Sequence, residues 1–267
     1  MLDHFELSSL TRAEMVTWNE RCRLGNLAPT NPRLVFLAID APSVSLDMLD
    51  EPTIAGSKAL SLMKGGWPFS HEVYSEVCQR LLKAGARVVA FDLIFQKPSP
   101  ADEAFRKTMD QFPDQIVIGF NFKEDLTSYA LPPSTLLPSG DPTDEQVGYF
   151  NFWPDEDGVI RRVRYRTNLE FLNSQNGAEK LPIDYSLSAR VIEKAVGDAL
   201  IPRDMEEHTI RFANTDRHKI KAFSFYSIFD PHAWENNFRN GEFFKDKIVL
   251  VGPEGNWSKH AVGISRM

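Results

Sequence analysis

Asp40 and Asp92 are the residues of this sequence best placed to do chemistry. Each closes an apolar run, Leu34–Ile39 and Val88–Phe91. Two carboxylates at one strand edge can hold a divalent cation, or raise one another's pKa for acid–base work. The simpler alternative is that each accepts hydrogen bonds from the loop that follows it. His71 is the histidine nearest in sequence, but it opens a helix after Ser70 and reads as a surface or capping residue. Metal catalysis is therefore not indicated.

Arg161, Arg162, Arg164 and Arg166 are the best anion-binding feature. On a strand, Arg162, Arg164 and Arg166 share one face, with Val163 and Tyr165 opposite. The structural alternative is an exposed face neutralised by the surplus acids. Arg161 falls on the apolar side, where a guanidinium requires a carboxylate, and Asp155 or Asp157 is the expected partner. The Asp155–Gly158 cluster is not a calcium loop: with Gly158 at the sixth position, Trp153 would stand first and Arg164 twelfth, where carboxylates are required. It reads instead as a turn joining Val147–Trp153 to Val159–Thr167 in an antiparallel hairpin. The aromatic groups Tyr149, Phe150, Phe152, Trp153 and Phe223, Phe225, Tyr226, Phe229 read as core before they read as a ligand pocket.

The elements that must hold these residues follow from periodicity. Leu34–Ile39 is a buried strand because an unbroken apolar run needs both faces covered. Ser70 caps a helix whose Val73, Tyr74, Val77, Cys78, Leu81 and Leu82 form one buried face, and Gly85 stops it. The strand at 87–92 follows, so strand, helix and strand form a right-handed parallel unit with Asp40 and Asp92 at the same carboxyl-terminal edge, their strands side by side. A helix from Pro100 to about Phe112 precedes a strand at 115–122. Asp184 is placed to cap a helix ending near Gly197, Thr209–Ala213 is a short strand, Ser224 is placed to cap a turn of helix at 225–229, and 247–252 is the last core strand. The fold class is α/β: a single domain with a mixed, centrally parallel sheet flanked by helices, plus an antiparallel hairpin. Residues 1–30 read as a helical lead-in and 31–267 as the α/β domain.

Composition agrees with this architecture. The chain has 267 residues, 42% hydrophobic and 25% charged, which excludes wholesale disorder. A formal charge of −7 disfavours nucleic acid and anionic lipid as partners of the whole molecule. Cys22 and Cys78 are the only cysteines, too few for a zinc site, with a single disulfide left open. The longest apolar run, Leu34–Ile39, is far short of the ~20 residues that cross a bilayer, so the chain as given reads as soluble. The Gly-x-Ser-x-Gly elbow, the phosphate-binding loop, the His-Glu-x-x-His pair and the Gly-x-Gly-x-x-Gly turn are all missing.

Six spaced segments, LVFLAID at 34–40, WPFSH at 67–71, AGARVVAFD at 84–92, PSPAD at 98–102, DEDGVIRR at 155–162 and KIVLVG at 247–252, resemble the second class of CHASE domains. These are extracellular sensors of bacterial cyclase- and histidine-kinase-associated receptors. The resemblance implies a periplasmic or extracellular part of an inner-membrane receptor, not itself an enzyme and without a cofactor. It would bind a small-molecule or protein signal and relay it to a nucleotide cyclase, diguanylate cyclase or kinase through transmembrane segments outside this chain. Asp40, Trp67, Asp92, Arg161 and Arg162 are the candidate ligand-binding residues. Two other readings stay open: a soluble cation-dependent hydrolase or nucleotide-binding enzyme using Asp40 and Asp92, and a structural dimerisation module in which the lead-in helix pairs two subunits as a homodimer.

Overall fold

Apolar runs become buried strands here because helices cover both faces of the sheet they form. The computed structural model describes residues 16–19, 28–174, 181–211 and 222–254. Most of the expected lead-in helix, Cys22, the end of the Thr209–Ala213 run and everything after Glu254 lie outside the described residues. In chain order the strands are β1 (Leu34–Ile39), β2 (Val88–Ile94), β3 (Ile116–Phe122), β4 (Tyr129–Ala130), β5 (Val147–Tyr149), β6 (Arg162–Val163), β7 (Arg166–Thr167), β8 (Asp184–Tyr185), β9 (His208–Thr209), β10 (Ala222–Ser224) and β11 (Ile248–Pro253). The main sheet has seven strands in the order β10-β1-β11-β2-β3, with β4 and β5 both paired to β3. Every neighbour in it runs parallel except β4.

The helix α1 (His71–Lys83) shows why the first face is buried. Ser70 caps it by accepting from the Glu72 amide, and Val73, Val77, Cys78 and Leu81 are fully buried beneath it. Each large apolar side chain withdrawn from water in this way is worth about 1.5–3 kcal/mol. At the other end Gly85 takes φ +88, and the Leu82 and Leu81 carbonyls accept from the Gly85 and Ala86 amides, both at 3.0 Å. Val35, Leu37, Ile39, Val89, Phe91, Val249 and Val251 point into the same core. A second helix, α2 (Asp102–Gln111), lies against α1, with the Ser75 and Thr108 hydroxyls bonded at 2.7 Å. On the opposite face α3 (Leu187–Val196) covers Val88, Ala90 and Val117.

The single α/β domain with a mixed sheet is as expected, but four details differ. β1 and β2 are not side by side: the last strand, β11, is inserted between them and bonds to both. The expected hairpin of 147–153 with 159–167 does not form. Residues 147–149 join the main sheet in parallel with β3, while β6 pairs antiparallel with β9 and β7 with β8. The helix α3 is capped by Ser186, whose hydroxyl accepts from the Ala189 amide at 3.1 Å, whereas Asp184 sits two residues earlier in β8. Ser224 makes no capping bond, because its hydroxyl is turned to Asp40.

The contact of β5 with the start of α3 needs the smallest residue available. A Cβ on Gly148 would lie 2.6 Å from the Leu187 Cα and 2.7 Å from its N, both main-chain atoms. Gly148→Ala is therefore expected to destabilise the fold by about 1–3 kcal/mol, seen as a lower urea midpoint at unchanged slope.

Candidate functional site

The sheet edge holds both candidate carboxylates, and Asp40 is engaged locally. Asp40 Oδ1 accepts from the Ser43 amide at 2.9 Å and the Ser43 hydroxyl at 2.5 Å, and Oδ2 accepts from the Ser224 hydroxyl at 2.5 Å. It thereby caps the short helix Ala41–Ser45 and ties β1 to β10. Asp92 lies on the far side of β11. A Cβ on Gly252 would be 3.1 Å from the Asp92 Cβ, so this carboxylate rests on the glycine floor of β11. The residue is exposed, while the protein packed around its carboxyl pushes its pKa up. Among the described residues no group of three or more His, Cys, Asp or Glu side chains is placed to hold a metal ion.

His71 is not a surface residue. Its Nδ1 is hydrogen-bonded to Oδ1 of Asp102, which is 2% exposed, and the other carboxylate oxygen accepts from the Ser99 amide at 3.0 Å and from the Thr135 hydroxyl. Burial pushes the Asp102 carboxyl up, but the bonds from Thr135, Ser99 and His71 outweigh it and leave its pKa below the ordinary value. This group pins the first turn of α1 to that of α2 and to the loop at 135. Trp67 stands edge-on to Phe69 at 5.2 Å, and Phe69 stacks on Phe225 at 5.9 Å, so Trp67 belongs to the aromatic packing beside Asp40 and Ser224.

Arg161 is the centre of the most connected polar group. The guanidinium is 4% exposed and donates to Asp155 at 2.8 Å, to Asp157 at 2.8 and 2.6 Å, and to the Asn19 side-chain oxygen at 3.1 and 2.9 Å. The loop itself is closed by the Asp155 amide bonding to Val159 and by Gly158 at φ +75. Arg161 lowers the Asp157 carboxyl to about 2. For Asp155, burial acts upward, and Arg161 and Arg162 overcome it. Both expected partners of Arg161 are thus present, together with one from the lead-in segment that spacing could not have named.

Arg162 and Arg164 are paired with acids, so the arginine row does not form an open stripe. Arg162 bonds to Asp155 and to Glu207 at 2.8 Å. Arg164 donates to the Met205 carbonyl at 2.6 Å and to Glu207 at 3.2 Å. Arg166 is buried over the Tyr185 ring at 4.7 Å.

Asp184 is a buried acid that its capping residue type concealed. Its Oδ2 accepts from the Tyr129 hydroxyl at 2.9 Å, and its Oδ1 is enclosed without a partner. Burial raises its pKa to about 7. The Tyr129 phenol is likewise raised, first by burial and then by the adjacent Asp184 charge.

A family model described as the CHASE2 domain matches residues 2–261 of this chain. The chain belongs to the CHASE2 family. No curated protein and no solved structure matches it. CHASE2 domains are sensory modules of receptors, which supports a sensing role for the domain. Within this CHASE2 domain no described helix is long and apolar enough to cross a membrane.

Two outcomes test this geometry. Arg161→Gln strands Asp155 and Asp157 and is expected to lower the thermal midpoint clearly, while Arg162→Gln, at a half-exposed position, changes it little; equal effects would refute the central place of Arg161. For Asp184 the folded carboxyl titrates near 7 and the unfolded one near 3.8. The folded state therefore binds the extra proton between those values, and stability falls as pH rises from about 4 to 7, by on the order of a few kcal/mol. Asp184→Asn is expected to flatten that slope in urea titrations at pH 5 and 7.

Proposed function

We propose that this domain is the extracytoplasmic, signal-binding part of a bacterial transmembrane receptor. In this reading it lies in the periplasm or outside the cell, and relays a signal through membrane segments to a cyclase, diguanylate cyclase or kinase. The observation that carries the reading is the family match, which spans nearly the whole chain.

The geometry supplies a physical means of relay. Asn19, in the segment that precedes the sheet, is held by a buried guanidinium whose other donors are fixed by Asp155 and Asp157. Hydrogen bonds to a charged group are stronger than neutral ones, roughly 1.5–3 kcal/mol each, so displacement of the loop at 155–161 would pull on that segment. A signal moves such an equilibrium only by its differential affinity for the two arrangements. Arg161 and Arg162 act in this reading as the mechanical joint, and the ligand is bound elsewhere in the domain.

Topology is the direct test. In spheroplasts carrying the full-length protein, trypsin added outside is expected to remove this domain while the output part survives. Protection of the domain until the inner membrane is lysed would overturn the reading.

A further inference from the structure

A groove of about 820 Å³ opens where the C-terminal half of α1 faces the helix Pro231–Asn236. Its volume falls in the roughly 300–1,000 Å³ range of small-molecule sites. Arg80 lines it with the guanidinium stacked on Trp234, 4.0 Å from the ring centroid. The Arg80 Nε is enclosed and has no hydrogen-bond partner. Burial pushes the Arg80 pKa down, as expected of a cation stripped of water without a compensating carboxylate.

Other arginines of this fold show what is missing. Arg161 has Asp155 and Asp157, Arg164 has Glu207, and Arg190 has Glu193; Arg166, over the Tyr185 ring, shares with Arg80 the lack of a carboxylate among the described residues but is itself buried and does not line the groove. Arg80 has no carboxylate partner among the described residues. A cation in the last turn of α1 does favour the helix dipole, but an exposed lysine such as Lys83 serves that purpose without a seat on an aromatic ring. What the seat adds is a flat, immobilised fork, the geometry that matches a carboxylate with two parallel bonds.

The rest of the lining narrows the ligand. Lys58 is held by Glu72 at 2.6 Å and Glu76 at 2.9 Å, so Arg80, Lys83 and Glu235 are the lining charges outside any ion pair among the described residues. The positive excess is small, which suits a single negative charge and disfavours a doubly charged phosphate. Phe229, Pro231 and Trp234 give the groove an apolar wall.

We propose that this groove binds a small organic carboxylate, with its two oxygens on the Arg80 guanidinium and its hydrocarbon part against Trp234 and Pro231. The assignment names the signal class for the sensory reading and rests on that reading for its meaning. Binding itself is independent of it.

The test is calorimetric titration of the domain with benzoate, acetate and inorganic phosphate, each to about 10 mM, roughly tenfold above a millimolar dissociation constant typical of fragment-sized ligands. Saturable binding of benzoate, weaker for acetate and absent for phosphate, is expected. Arg80→Gln should abolish it, and Arg80→Lys, which keeps the charge and loses the fork, should weaken it about tenfold. Unchanged thermal midpoints for Arg80→Lys show that the loss is not unfolding. No saturable carboxylate binding, equal binding of phosphate, or benzoate binding retained in both variants would overturn the proposal. Arg80-dependent binding with no change in the output of the full-length receptor would leave the site standing and remove its role as the signal site. The topology experiment fails or succeeds separately.

Discussion

The insertion of β11 between β1 and β2 is the constraint on which the rest of the domain depends. Parallel pairing leaves no strand able to bond to its sequence neighbour through a short turn. Here the bonds that complete β1 and β2 come from residues 248–253, more than 150 positions after β2. Until that strand arrives, Val35, Leu37, Val89 and Phe91 have no continuous surface beneath α1. The sheet is therefore a long-range structure, and a strand at its centre is also the last in the chain among the described residues. Because β1 and β11 run parallel, the chain enters β1 at one edge of the sheet and leaves β11 at the other.

That arrangement also decides what the sheet edge can do. With β11 between them, Asp40 and Asp92 do not stand on adjacent strands. Asp40 is saturated by two serine hydroxyls and an amide, and Asp92 lies over Gly252, where the missing side chain makes room for it. The side-by-side pair of strands that spacing suggested is thus separated by the strand that completes the sheet.

How much of this was legible in the sequence depends on the range of the interaction. The strands at 34–39, 88–94, 116–122 and 248–253 and the helices at 71–83 and 102–111 announce themselves because periodicity, caps and glycine stops act within a few residues. Arg161 was legible for the same reason: its acids lie four and six residues away. What escaped was non-local. Nothing near Leu250 says which strands it joins, and the turn at Asp155–Gly158 is real although its flanks pair with other partners. His71 looked exposed because Asp102, its partner, is 31 residues on. Asp184 carried a capping residue type, yet Ser186 caps α3 and leaves the acid in the interior. Arg80 carries no local signal, since Trp234 is brought to it only by the completed fold.

Arg161 and Arg80 represent two ways of keeping a cation in a folded domain. Breaking a partnered buried charge leaves the remaining charges uncompensated, which is why such a group suits a joint that must hold its register under load. Arg161, with two carboxylates and the Asn19 side chain, is of this kind. A cation without a counter-charge is destabilising where it stands, and the deficit is removed only when an anion arrives. Binding at such a site is therefore coupled to stability of the segments that hold it. At Arg80 those segments are α1 and the helix at 231–236, and α1 is pinned at its other end by His71 and Asp102 to α2. A sensor built this way separates a site whose charge is incomplete from a joint whose charges are complete. In the proposed reading the first would supply the differential affinity that shifts the equilibrium, and the second would carry the shift to the segment containing Asn19.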